Sequence, residues 1–263
     1  MAQETAQQTE RGRIVWHELM TKDPKAAEPF YKHVVGWTTS PWEGGSKDYM
    51  MWMAGESPVG GLMKLPREAE EMGAPPNWLT YIAVPDVDDT IEQAQAQGAT
   101  VLAPATTIEG VGRFAVLRDP QGAVFAIITG DGEAPPESDP KPLEFSWHEL
   151  ITTDYQAADR FYSSLFGWQK KSEFDMGDMG MYHMFGRDRF TYGGMYNKPA
   201  DMPAPPNWLP YVQVDSADQA AERAKEKGGT IMNGPMEVPG GDRIAIIMDP
   251  QGAVFAVHSK AGA

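Results

Sequence analysis

The chain has 263 residues, with 37 acidic side chains against 22 Lys and Arg and a formal charge of −15. That balance argues against phosphate-backbone or anionic-membrane binding, which needs clustered cations. There is no cysteine, so disulfide and thiolate chemistry is excluded, and no apolar run approaches the roughly 18–20 residues of a membrane span.

Residues 1–12 are polar, lack the apolar core of a signal peptide and read as a disordered tail on a cytoplasmic protein. Residues 14–20 read as a strand. Asp23 then stands as an N-cap with Pro24 at the first helical position, where its missing N–H costs nothing. Ala26, Ala27, Phe30, Tyr31 and Val34 follow at helical spacing, and Gly36 closes the helix. Short strands are expected over 37–39, 49–53 and 60–65. The order then restarts: a strand over 78–84, a helix over 87–97 capped by Asp86 and closed by Gly98, and strands over 100–102, 112–117 and 123–129. Asp119-Pro120-Gln121-Gly122 has the composition of a tight turn. Residues 130–142, rich in Gly, Pro and acid without apolar periodicity, read as a linker.

The landmarks of residues 14–129 then recur after the linker. Trp16, His17, Glu18, Leu19, Asp23, Phe30, Tyr31, Gly36 and Trp37 reappear 131 residues later, Pro75-Pro76-Asn77-Trp78 returns as Pro205-Pro206-Asn207-Trp208, and the turn returns at Asp249–Gly252. A period this long marks a duplicated domain rather than a solenoid repeat, whose units run about 20–50 residues. The domains are placed at 13–129 and 143–260. The expected fold is α+β, with four βαβββ modules, two per domain.

This combination resembles the vicinal oxygen chelate superfamily, which includes glyoxalase I, bleomycin- and fosfomycin-resistance proteins and extradiol dioxygenases. The residues that carry the resemblance are Phe30-Tyr31 and Phe161-Tyr162, Gly36-Trp37 and Gly167-Trp168, Gly60-Gly61 and Gly193-Gly194, and the two Asp-Pro-Gln-Gly turns. The resemblance implies two tandem glyoxalase-like domains, each a curled sheet around a cleft. In metal-dependent members the cleft holds a divalent ion that chelates two neighbouring substrate oxygens. The positions that the resemblance assigns to ligands are Trp16, Leu79 and Ala126 in the first half and Trp147, Leu209 and Ala256 in the second, with no carboxylate or imidazole near 60–63 or 193–196. No cofactor is therefore expected; the alternative is a divalent ion held through a shifted site using His17 and His148.

Strand alternation sets Trp16, Glu18 and Met20 on one face and Val15, His17 and Leu19 on the other. With Trp16 toward the cleft, His17 faces the helix and core. Glu18 and Glu149 are then the candidate acid–base groups, since a carboxylate beside an indole in a partly closed cleft has its ionised form disfavoured. Trp16, Trp52, Met63, Trp78 and Tyr81, with Trp147, His183, Met195, Trp208 and Tyr211, are the candidate ligand-binding residues, giving an apolar surface able to stack a flat molecule. Three functions fit: a small-molecule binding protein without the usual metal; a glyoxalase-type lyase or dioxygenase-like enzyme with a non-standard site at His17/Glu18 and His148/Glu149; and a protein-interaction module with vestigial clefts. The chain is expected to be a monomer containing its own pseudo-dimer, with a small molecule as partner and neither nucleic acid nor membrane.

Overall fold

A computed structural model describes residues 11–44, 48–132 and 136–262. The first half contains β1 (Ile14–Thr21), α1 (Pro24–Val34), β2 (Thr38–Pro41), β3 (Met50–Ala54), β4 (Ser57–Lys64), the short α2 (Arg67–Glu71), β5 (Asn77–Ala83), α3 (Val87–Ala96), β6 (Thr100–Ile108), β7 (Gly112–Arg118) and β8 (Val124–Gly130). The second half repeats this as β9 (Phe145–Thr152), α4 (Tyr155–Phe166), β10 (Gln169–Asp175), β11 (Met181–Arg187), β12 (Phe190–Asn197), β13 (Asn207–Gln213), α5 (Ala217–Glu226), β14 (Thr230–Glu237), β15 (Arg243–Met248) and β16 (Val254–Ser259). Two eight-stranded sheets result, ordered β2-β3-β4-β1-β5-β8-β7-β6 and β10-β11-β12-β9-β13-β16-β15-β14. This is the α+β arrangement of four βαβββ modules. No helix among the described residues is long and apolar enough to cross a membrane.

The four longer helices start where their caps are. Asp23 accepts from the Ala26 N–H, Asp86 from Asp89, Asp154 from Ala157 and Ser216 from Gln219; each such cap contributes about 1 kcal/mol.

The chain divides into two compact units that do not follow the repeat. One gathers the chain up to Val15, Thr80–Ser138 and His148–Trp208; the other gathers Trp16–Leu79, Asp139–Trp147 and Leu209–Ala263. In the second of these, α1 buries Ala27, Phe30, Tyr31 and Val34. On α5, Ala217, Ala220, Ala221 and Ala224 are buried at helical spacing, and both sets join one core with Trp37, Trp52, Trp78 and Phe255. In the other unit Phe161, Tyr162, Leu165 and Phe166 of α4 join Val87 and Ala94 of α3 with Phe125, Trp168 and Trp208.

Each core is threaded by a polar relay joining the two halves of the sequence. Trp78 Nε1 donates to Tyr31 Oη at 3.0 Å, and Tyr31 Oη donates to Asp249 Oδ2 at 3.0 Å. In the other unit Trp208 Nε1 donates to Tyr162 Oη at 3.1 Å and Tyr162 Oη to Asp119 Oδ2 at 2.8 Å. Asp119 Oδ1 also accepts from the N–H groups of Gln121, Gly122 and Ala123. The Asp-Pro-Gln-Gly segments, expected only as turns, thus also anchor the helices. Gln251 exchanges hydrogen bonds with the backbone of Asp23, and Gln121 does the same with Asp154 while accepting from Thr152. The Gly-Trp pairs anchor as well: Trp37 Nε1 donates to Leu143 O at 2.7 Å and Trp168 Nε1 to Gly12 O at 2.6 Å. Helix C-termini, whose last carbonyls lack helical partners, are closed by arginines: Arg223 on Val34 O and Arg11 on Ser164 O and Leu165 O.

The expected tail lies, up to residue 10, outside the described residues. Arg11 and Gly12, also assigned to it, are tied in by these contacts and by the Gly12 N–H donating to Ala83 O at 2.8 Å.

Candidate functional site

Besides the aspartate–tyrosine contacts of the core relays, each half pairs a buried glutamate with a phenol from that same half, and a glycine makes room for it. In the first half Glu18 on β1 is in register with Gly61 on β4. A Cβ at Gly61 would collide with the hydroxyl of Tyr49 and lie 3.2 Å from Glu18 Oε1. The missing side chain is what lets the phenol lie over the strand beside the carboxylate. Trp16 Nε1 is 3.2 Å from Tyr49 Oη. An indole N–H only donates, so Tyr49 accepts from Trp16 and passes its own proton toward Glu18, with which it is hydrogen-bonded. Burial, and then the charge of Glu18, push the Tyr49 phenol well above its ordinary value. Glu18 is 7 % exposed.

In the second half Glu149 on β9 is in register with Gly194 on β12, and Tyr182 lies over that glycine. Tyr182 Oη donates to Glu149 Oε1 at 2.9 Å, and Glu149 is 8 % exposed. The Tyr182 ring stacks between Phe174, 5.2 Å away, and Tyr196, 5.9 Å away. Burial and the Glu149 charge raise the Tyr196 phenol as well. The neighbouring glycines, Gly60 and Gly193, are needed for a different reason: a Cβ on either would strike the backbone carbonyl of His17 or His148.

The structure brings together part of the set expected from sequence and separates the rest. Trp16 and Glu18 meet at Tyr49, and Met63 lies on the same strand as Gly61, in register with Met20. Tyr81 is in register with Ala126, its ring 6.2 Å from Phe114. Trp147 packs with Leu209, Tyr211 and Ala256. Trp52 and Trp78, expected in the cleft, lie instead in the core, their rings each 5.4 Å from Tyr31 on α1. Trp208 is in the corresponding place against Tyr162. The reason is strand parity: Trp78 and Tyr81, like Trp208 and Tyr211, are three residues apart and must point to opposite faces.

His183 and Met195 also need correcting. His183 Nε2 lies 3.1 Å from Asp159 on α4 and Nδ1 lies 3.6 Å from Glu173, so the ring faces the helix. Met195 is fully buried in the core. Register explains both. Phe185 pairs with Gly193 as Trp52 pairs with Gly60, which makes Phe185, not His183, the counterpart of Trp52. Counting 133 residues from one Gly-Gly to the other aligns Met50 with His183, Met63 with Tyr196 and Tyr49 with Tyr182. That count was available from sequence and would have singled out Tyr49, Tyr196 and the duplicated phenol.

The positions that the resemblance assigns to metal ligands offer no donor to a divalent ion. The faces that would supply ligands carry indole and aliphatic groups at Trp16, Leu79, Ala126, Trp147, Leu209 and Ala256, none of which donates to a hard cation. Their nearby carboxylates, Glu18 and Glu149, are each taken up by a phenol. The alternative ligands are engaged elsewhere. The His17 ring stacks on Phe145 with centroids 3.7 Å apart, and His148 Nδ1 is 2.9 Å from Tyr192 O. Burial depresses the His148 imidazole to about 4. No cluster of three or more His, Asp or Glu suited to a metal occurs among the described residues.

Comparison with known proteins places this geometry in a family. Residues 144–257 match the Glyoxalase/Bleomycin resistance protein/Dioxygenase superfamily and residues 15–128 match a Glyoxalase-like domain. The chain is 33 % identical to "Putative glyoxylase CFP32" of Mycobacterium tuberculosis over 95 % of this chain and 96 % of that one. It is 28 % identical to "Anthracycline biosynthesis protein DauV" of Streptomyces sp. strain C5, over 94 % and 92 %. Among solved structures, a Mn(II)-bound glyoxalase from Novosphingobium aromaticivorans superposes with a TM-score of 0.62 at 19 % identity, covering 95 % of this chain and 82 % of that one. The 2,3-dioxygenase LapB from Pseudomonas sp. KL28 does so with a TM-score of 0.64 at 13 % identity, covering 96 % and 94 %. Two family matches in tandem, two eight-stranded sheets and full-length relatives lead to one conclusion: the chain belongs to the glyoxalase/bleomycin resistance protein/dioxygenase superfamily.

Proposed function

We propose that the chain binds a small, flat, hydroxylated aromatic molecule in each half, using Glu18–Tyr49 and Glu149–Tyr182 as the polar contacts. The observation that carries this reading is the duplicated carboxylate–phenol pair, buried among aromatic side chains and built over a glycine in both copies. A buried carboxylate accepts strongly from a ligand hydroxyl, and neighbouring indole and phenol rings offer stacking surface. The name of the Streptomyces relative adds support, because anthracyclines are fused hydroxylated rings.

A second reading is proton-transfer catalysis. It is favoured by the direction of the hydrogen bonds, which run from Tyr182 into Glu149 and from Trp16 through Tyr49 toward Glu18. Here the carboxylates would be bases toward an acidic substrate proton.

Titration of tryptophan fluorescence with a dihydroxyanthraquinone probe tests both. Saturable quenching is expected for the wild type, with affinity at least tenfold weaker in the Glu18→Gln/Glu149→Gln double variant. Absence of saturable quenching, or equal affinity in the double variant, would overturn the binding reading. Chemical conversion of the probe that is lost in the same variant would move the assignment to catalysis.

A further inference from the structure

The second half carries a serine–histidine–aspartate relay that the first half lacks. Ser146 on β9 has its Oγ 3.0 Å from His258 Nδ1, on β16. His258 Nε2 is 2.8 Å from Asp242 Oδ2, just before β15. The other oxygen of Asp242 accepts from the Ala261 N–H at 2.8 Å. All three residues belong to one compact unit.

The protonation pattern follows from the partners. The hydrogen bond from His258 holds the Asp242 carboxyl below its ordinary value, so Asp242 is ionised at neutral pH and only accepts. Because an ionised carboxylate only accepts, the His258 proton facing Asp242 sits on Nε2, and Nδ1 is the nitrogen that faces the serine hydroxyl. This is the nucleophile–base–orienter order of hydrolytic triads, which are recognised by geometry and role rather than by sequence position. The ring nitrogens are used in the opposite sense from the usual arrangement, and this leaves the proton path unchanged.

Comparison of the two halves makes the grouping specific. The positions equivalent to Ser146, Asp242 and His258 in the first half are Val15, Gly112 and Ile128. All three members of the relay differ together between copies that otherwise agree through the β16 core and the Asp-Pro-Gln-Gly turn. A structural hydroxyl alone would not require the other two changes.

We propose that Ser146 is an activated nucleophile toward small carboxylic esters, with His258 as its base and Asp242 as the group that orients the base. In the acylation step the Ser146 Oγ–carbon bond forms and the bond from that carbon to the leaving alkoxide breaks. The serine proton passes to His258 Nδ1 and then to the departing alkoxide. Water, deprotonated by the same nitrogen, releases the acid and restores the serine. This assignment is independent of the Glu–Tyr reading and can fail without it.

Incubating the full chain with a fluorophosphonate probe and mapping the adduct by mass spectrometry tests it. Attack forms the Ser146 Oγ–phosphorus bond, expels fluoride and gives the serine proton to His258. One adduct at Ser146 is expected, absent in Ser146→Ala and formed at least tenfold more slowly in His258→Gln. Asp242→Asn should slow labelling too, and serves as the second arm if His258→Gln does not fold. A purely structural network predicts lowered thermal midpoints in these variants and no adduct in the wild type. Absence of a Ser146 adduct in folded wild-type protein, or a labelling rate unchanged in both His258→Gln and Asp242→Asn, would overturn the proposal.

Discussion

In one unit Trp78 donates to Tyr31, Tyr31 to Asp249, and Gln251 holds the backbone of Asp23; in the other Trp208, Tyr162, Asp119, Gln121 and Asp154 take the same parts. Away from these relays the copies part. Met50 stands against His183, Met63 against Tyr196, and Val15, Gly112 and Ile128 against Ser146, Asp242 and His258. The difference has a physical source. Every member of a buried relay satisfies another's polar atom, so a change at one position strands the next at a cost of about 1–3 kcal/mol. The differing positions lie outside these core relays, and there the second copy is richer in phenol, imidazole and carboxylate.

The comparison breaks most decisively at the aspartates. Asp119→Ala removes the acceptor for three N–H groups and a phenol, and should lower stability by about 4 kcal/mol in urea unfolding. If the relays are equivalent, Asp249→Ala should cost a similar amount; a loss under about 1 kcal/mol there would end the equivalence.

Next in size is an effect of pH on the unit containing His148. Its imidazole is depressed to about 4 by burial, against an unfolded value of about 6.5. The unfolded chain therefore binds the extra proton first. The stability is fully present above about pH 6.5 and is lost as pH falls toward about 4, by up to roughly 3 kcal/mol. Urea midpoints measured at pH 7 and pH 5 should show the decline, and His148→Gln should flatten it.

Tyr31→Phe and Tyr162→Phe should each cost about 1.5–2 kcal/mol, because each leaves an indole N–H and a carboxylate oxygen unpaired in a core. Measured side by side, they ask whether the two cores are equally able to relax. The smallest change in stability, about 1 kcal/mol, is expected for Gly61→Ala, where the nearest atom is the hydroxyl end of half-buried Tyr49. Gly194→Ala drives a Cβ into the buried and stacked Tyr182 ring and should cost more, about 1–3 kcal/mol. Each should nevertheless weaken probe binding in its own half, which separates the site from the scaffold.

Much of the fold was legible because duplication and capping are local signals. The N-caps at Asp23 and Asp86 and the βαβββ order required only spacing. The faces of β1 also followed from alternation: Trp16 and Glu18 on one side, Leu19 in the core on the other. What failed was register between strands. His183 was expected in the cleft, but the 133-residue spacing between the two Gly-Gly pairs sets Phe185 opposite Gly193, as Trp52 is opposite Gly60, and leaves His183 two positions away at the place of Met50. Choosing Trp78 together with Tyr81 ignored parity within a single strand. The anchoring role of Asp-Pro-Gln-Gly was invisible because its partners lie far along the chain, Tyr31 being 218 residues from Asp249.

That distance has a consequence for the order in which the protein can be built. One unit draws mostly on a single stretch, from Thr80 to Trp208 with one excursion, whereas the other is assembled from Trp16–Leu79 and Leu209–Ala263. During synthesis from the N-terminus, the nearly continuous unit has its last segment available while the final fifty or so residues are still to be added. Tyr31 cannot reach its core partner until Asp249 has left the ribosome. The two copies are thus interleaved along the chain, and the later copy supplies the last segment of a unit that the earlier copy begins.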